Sequence, residues 1–308
     1  MRPKTAVRFV FPAVFVGLFL LPAAARSAEL SQQDRQRIER SLPQKAPCSP
    51  KHARKLLVVT LNVRDGKPQP GHASIAAANL AIEQMGRRTG AYETVFSNDV
   101  SMFRPERLGQ FDAVCFNNTV GVLFDDPDLR KSLLEFVAGG KGFVGIHAAA
   151  ATFVQWPRYD QWPEFGKMLG AYENGGHPWK PNETIVLKLD DPGHPINAAF
   201  GGKGFQVSDE VFQLQSPYSR DELRVLLSID TERTDMNPSR RFLPERFADR
   251  DFAISWVRSY GRGRVFYSSL GHNPEIYWNP PILAHFLAGI QFALGDLEAD
   301  ATPSGPGK

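Results

Sequence analysis

Cysteine is nearly missing from this chain: Cys48 and Cys115 are the whole complement in 308 residues. Two thiols so far apart rule out a cysteine-rich zinc site and allow at most one disulfide. Cys115 lies in FDAVCFNN (111–118), which reads as a core strand where a buried thiol is commonplace, so the pairing stays open. Net charge is equally scarce. Thirty-six basic residues against 33 acidic ones leave a formal +3. No Lys/Arg stripe stands out, and Arg240-Arg241 to Arg246 is interleaved with Glu245 and Asp249. Nothing therefore argues for nucleic acid or an anionic membrane surface as partner. No internal repeat is visible, and no apolar run reaches the ~20 residues of a membrane span. What is present in quantity is apolar side chain, at 42% enough for one large domain or two modest ones.

The first 25 residues are a different kind of sequence. Met1 to Arg8 is basic, Phe9 to Leu21 is almost wholly apolar, and Ala23-Ala24-Ala25 supplies small residues. This is the pattern of a secretory signal peptide cut after Ala25, with an uncleaved anchor as the alternative. Cleavage removes Arg2, Lys4 and Arg8 and no acid, which takes the formal charge from +3 to zero. The expectation is a periplasmic or extracellular protein, free of the membrane once cut, in a compartment that permits disulfides. Residues 26–54 are polar and carry Pro43, Pro47 and Pro50, so they read as a linker or surface arm with a short helix at Ser31 to Ser41. A main domain over 55–296 and a disordered tail over 297–308 complete the division.

Within the main domain, KLLVVT (55–60), FDAVCFNNT (111–119) and GFVGIHAA (142–149) are apolar runs of the kind covered on both faces. YETVFS (92–97) alternates as a strand. Between them, SIAAANLAIEQMGRRTG (74–90) repeats Ile75, Ala78, Ile82 and Met85 at helical spacing, with Ser74 as N-cap and Gly90 as stop. DPDLRKSLLEFVAGG (126–140) opens on acids and proline and closes on two glycines. The alternation predicts an α/β fold with a mostly parallel central sheet. The second half is β-rich: ETIVLKLD, VFQLQSP, LRVLLSID, FAISWVRSY and GRVFYSSL suggest antiparallel additions, before a closing helix in PILAHFLAGIQFALGD.

Ligands of open parallel sheets bind beyond the carboxyl ends of the strands. That rule selects Asn62 and His72 after the first run, Asn117-Asn118-Thr119 after the third, and His147 at the tip of GFVGI. Each alone reads most simply as a turn former or a hydrogen-bonded structural residue. Their convergence at one edge is what marks a site.

The stretches GHASI, FDAVCFNNTVG, GKGFVGIHAAAATF with WPEFGKMLGAYENGGHPW, DPGHPI, SDEVFQL and GRVFYSSLGHNPEIY resemble the ThuA-like (trehalose-utilisation) family. The likeness runs in order from about Lys55 to Gly295. It implies a flavodoxin-like, class I glutamine amidotransferase-like fold. In amidotransferases the turn after this strand carries a nucleophilic cysteine; here it reads Gly145-Ile146-His147-Ala148-Ala149, so thioester chemistry has no nucleophile.

The resemblance also implies a polar lining of His72, His147, His177, Asp209, Glu210 and His272. Two chemistries follow. In one, His147 is a general acid/base, with Asp209 or Glu210 and His272 orienting substrate. In the other, His147, Asp209, Glu210 and His272 are drawn on to hold a divalent metal such as zinc, assembled from distant loops because no local ligand pair exists. Substrate contacts are expected from His72, Asn118, Thr119, His177 and the aromatics Trp156, Trp179 and Tyr277, which would stack on a sugar ring. The family link is to trehalose and related disaccharides through 3-keto-sugar intermediates, so the expected partner is a small-molecule sugar. A non-catalytic sugar-binding module is the rival reading. His194 and His285 read as structural, and oligomeric state is not set by the sequence.

Overall fold

The computed structural model describes residues 30–155, 160–173, 176–236 and 249–305. Residues 1–25, which the sequence reads as a signal peptide, and Trp156 lie outside the described residues. Among the described residues nine strands form the central sheet: β1 Lys55–Val59, β2 Glu93–Phe96, β3 Ala113–Asn117, β4 Gly142–Ile146, β5 Thr184–Leu189, β6 Phe205–Ser208, β7 Arg224–Ile229, β8 Ala253–Tyr260 and β9 Gly263–Ser268. Their spatial order is β6-β5-β7-β8-β9-β4-β3-β1-β2. The run β2-β1-β3-β4-β9 is parallel throughout, and the other neighbours pair antiparallel. This is the flavodoxin-like order with antiparallel strands added on one side.

Helices cover both faces. On one lie α1 (Gln32–Ser41), α2 (Ile75–Thr89) and the closing helix α5 (Pro280–Ala293); on the other lie α3 (Pro127–Ala138) and α4 (Pro163–Leu169). The apolar runs β1, β3 and β4 feed side chains alternately into the two cores, as Val144 and Ile146 go to one and Phe143 to the other. α2 buries Ala78, Ile82 and Met85 and stops at Gly90, whose φ of 69° a side chain would resist. No described helix is long and apolar enough to cross a membrane.

Four expectations change. GRVFYSSL is antiparallel on one side alone: a tight turn at Gly261-Arg262 folds β9 back on β8, which makes β9 parallel to β4 on its other side, with Ser268 opposite Ile146. The edge strand comes from Phe205–Ser208, whereas within VFQLQSP Leu214 and Gln215 pair with Tyr172 and Glu173 in a small separate ladder and Val211 bridges Trp179. The tail is held rather than loose through Gly305. Ser304 donates its N–H to the Leu223 carbonyl, and Arg224 pairs with Asp300 at 2.9 Å. The arm before β1 is also packed down, with Ile38 and Leu42 buried and Arg54 bound to Asp296 at 2.6 Å. Both cysteines are free thiols, Cys115 inside β3.

Candidate functional site

Because β4 and β9 run parallel in register, the residues that follow each emerge side by side at the carboxyl edge. His147 follows β4 directly and begins a 3-10 turn with φ of +48°, a left-handed conformation costing a branched-free L residue about 1–2 kcal/mol. Neighbours hold it there. The Tyr267 hydroxyl donates to the His147 carbonyl at 2.7 Å, and Nδ1 of His147 donates to the Ser269 carbonyl at 2.7 Å. Since a carbonyl only accepts, Nδ1 carries the proton and Nε2 is a bare lone pair. The ring stacks on Phe212, with centroids 4.6 Å apart, and exposes none of its surface.

That lone pair points into a cluster. His147 Nε2 lies 3.2 Å from His272 Nδ1 and 3.6 Å from Glu210 Oε2, and His272 Nδ1 lies 3.2 Å from the same Glu210 oxygen. His72, from the loop leading into α2, closes the group: the three imidazole rings sit 5.0 to 5.2 Å apart and nearly perpendicular to one another. One ligand atom from each of His72, His147, Glu210 and His272 lies within 4.8 Å of the other three. His72 Nδ1 is buried without a hydrogen-bond partner.

The loop carrying His272 is built for close approach. A side chain at Gly271 would strike the Tyr277 hydroxyl at 2.5 Å and His147 Cβ at 3.3 Å, and φ there is +136°. Ser74, expected as a plain N-cap, makes no capping bond; its hydroxyl instead donates to the Gly271 carbonyl at 2.7 Å. Asp209 is fully buried and spends both oxygens on this loop, accepting from the backbone N–H groups of Gly271 (2.7 Å), His272 (3.3 Å) and Asn273 (2.8 Å). Burial pushes its carboxyl up to about 7 against the pull of those donors. Asp209 therefore positions the loop, and the acid that faces the cluster is Glu210.

The electrostatics divide the histidines. Burial, then the neighbouring His72, drives His147 well below the ordinary imidazole range, and burial followed by His272 pushes His72 down to about 4. Burial also opposes charge on His272 and His177, but carboxylate neighbours outweigh it and raise both. For His272 the partner is Glu210; for His177 it is Glu173, 3.4 Å from Nε2. Glu210 itself is held below the usual range, since the bond from His272 overcomes its desolvation. His177 is the most open of the set, with 43% of its side chain exposed against 27% for His272.

Other expected contacts do not line this space. Thr119 bonds to Thr152 through hydroxyls 2.6 Å apart. Trp179 is buried, donating its indole N–H to the Asp235 carbonyl and packing edge-on against Phe252. Tyr277 is buried behind Gly271. These two aromatics therefore offer no stacking face, because their ring surfaces are spent on the core. Asn118 sits close behind the cluster at φ +56°, its Nδ2 on Asn117 Oδ1 and its Oδ1 without a partner. Asn62 ties Thr60 to Asn118 through its amide. Glu173, Phe212 and Tyr267 escaped the sequence reading; only the four-residue spacing of Glu173 to His177 offered a signal. His194 and His285 are structural, as expected, bonding to the Asp300 and Ile196 carbonyls. An open cleft of about 950 Å³ lies at the same edge, lined by Arg64, Asn98, Asp99, Phe124, Asp125 and Gln155. It contains no imidazole, so the chemistry is read from the cluster and not from the larger space.

Strand order and site together define a flavodoxin-like α/β protein whose strand-tip turn presents histidine to a histidine–carboxylate cluster. A family model for ThuA, described as trehalose utilisation, matches residues 59–293, and the chain belongs to that family. Comparison with curated proteins finds no match. Among solved structures, a ThuA-like protein from Bacteroides uniformis is 21% identical with a TM-score of 0.59, over 79% of this chain and 92% of its own. One from Parabacteroides merdae is 19% identical with a TM-score of 0.55, over 83% and 95%. At these identities the likeness shows the fold.

Proposed function

We propose that this chain is an exported enzyme that converts a disaccharide or its 3-keto derivative at the His72–His147–Glu210–His272 cluster. The observation that carries the reading is the convergence of three imidazoles and a carboxylate at the carboxyl ends of parallel strands. A site built only to hold a sugar needs amides and aromatic faces, and Trp179 and Tyr277 are packed away. Family membership supports carbohydrate as the substrate class, and the N-terminal segment supports export.

Roles follow from access. His147 exposes no surface, so it acts through its inward Nε2 on His272 and Glu210 rather than on the sugar. His177 and His272 reach solvent, each held by a carboxylate, Glu173 and Glu210, and His177, the more open, is the group that exchanges protons with substrate while His272 helps to hold the cluster. A sugar hydroxyl beside a keto group is a suitable proton donor for such a pair.

The experiment is a product screen of the purified chain against trehalose and other disaccharides, each offered unoxidised and as the 3-keto form. Conversion of a keto-disaccharide that falls at least a hundredfold in His272→Ala is the expected result. Tight binding of a sugar with no conversion, by the wild type, would make the chain a binding module instead.

A further inference from the structure

We propose that His72, His147, Glu210 and His272 bind one divalent transition-metal ion of the zinc class. This deepens the reading above by naming what the cluster holds, and it stands on geometry that does not depend on the substrate.

Zinc bonds of about 2.0–2.2 Å to nitrogen and oxygen, arranged tetrahedrally, set ligand atoms about 3.3–3.5 Å apart. Among His147, His272 and Glu210 the three separations are 3.2, 3.2 and 3.6 Å, and a ligand atom of His72 lies within 4.8 Å of each of them. A purely hydrogen-bonded cluster explains less. His272 Nδ1 can give one proton to only one of its two near neighbours, His147 Nε2 and Glu210 Oε2. Within such a network His72 Nδ1 would remain buried with nothing to bond. A cation at the centre takes one lone pair from each of the four side chains at once.

The surroundings match a ligand shell. A metal-bound histidine usually donates its other ring N–H to a carbonyl or carboxylate, which fixes its tautomer, and His147 Nδ1 does so to the Ser269 carbonyl. Asp209 fixes the backbone of His272 through its own N–H. Three imidazoles and one carboxylate suit zinc, cobalt, manganese or iron rather than magnesium or calcium, which take oxygen ligands. His147 seals the inner side, while Glu210 and His272 keep 12% and 27% exposure toward solvent. That leaves room for a further oxygen ligand from water or a sugar carbonyl, which the ion would polarise as a Lewis acid.

The full chain, stripped with chelator and dialysed, is titrated with Zn²⁺ and with Co²⁺, and bound metal is counted by elemental analysis. The expected result is one ion per chain, a visible Co²⁺ absorption band, and a higher melting temperature with metal. His72→Ala and Glu210→Gln should each weaken affinity at least tenfold with circular dichroism unchanged, while the exposed-surface control His52→Ala should not. His72→Asn serves if the alanine variant misfolds. The site is refuted if folded wild type retains no stoichiometric metal. It is equally refuted if binding survives in the His72→Ala/Glu210→Gln double variant. Because the readout is metal and not turnover, a chain that holds the ion but converts no sugar sinks the functional reading alone.

Discussion

His147 and His272 belong to loops 125 residues apart in sequence, yet Nε2 of one and Nδ1 of the other are 3.2 Å apart. The parallel register of β4 and β9 brings them together. Since His272 is partly exposed and carries no strained backbone, His272→Ala should leave stability within about 1 kcal/mol of wild type. Turnover should drop at least ~10²-fold, because the loss breaks the cluster that faces substrate. Denaturant melts beside steady-state rates check both halves. A large stability loss would mark the residue as structural.

Tyr267→Phe tests the strain at His147. The lost hydroxyl leaves the buried His147 carbonyl without its donor, a cost of about 1–3 kcal/mol. With its anchor gone, His147 should turn, and kcat should fall without a matching rise in KM. A fall in stability alone, with kcat unchanged, would show that the anchor does not serve the site.

Asp209→Asn keeps one acceptor oxygen and turns an amide N–H₂ toward backbone N–H groups. The 271–273 loop should loosen, seen as faster amide exchange at Gly271 and Asn273, with activity falling in step. If exchange there is unchanged, Asp209 does not position the loop.

Residue His285 supplies a pH test far from the cluster. Burial pushes its imidazole down to about 3, from an unfolded value of 6.5, while Nδ1 donates to the Ile196 carbonyl. Below pH 6.5 the unfolded chain takes up a proton that the folded chain refuses. This contribution is therefore complete above 6.5 and is lost as pH falls toward 3, by up to about 1.4 kcal/mol per pH unit. His285→Gln should flatten stability between pH 6 and 4 by that slope. An unchanged slope would contradict it.

Much of this was legible in the chain because burial on both faces leaves continuous apolar runs. β1, β3 and β4 are read from theirs, α2 from its spacing and Gly90, and His147 from its place at a strand tip. Pairing partners are less visible. An apolar run such as GRVFYSSL looks the same whether its neighbour is parallel or antiparallel, so the sequence does not reveal that β9 pairs antiparallel with β8 and parallel with β4, nor with it why His272 meets His147. Side-chain direction is hidden too. Trp179 and Tyr277 follow site histidines in sequence but turn into the core, and of the adjacent pair Asp209 holds loop backbone while Glu210 meets the His272 ring. Ser74 has the composition of a cap, yet tertiary contact takes its hydroxyl to Gly271.

The central claim is that function resides in the histidine–carboxylate cluster and not in the wider cleft at the same edge. The direct measurement is turnover of the sugar identified by the product screen, comparing Glu210→Gln with the cleft variants Asn98→Ala and Gln155→Ala. Glu210→Gln is expected to lose at least about a hundredfold in kcat, while the cleft variants stay within about threefold in kcat and change KM at most. Near-normal kcat in Glu210→Gln, with collapse in a cleft variant, would contradict it.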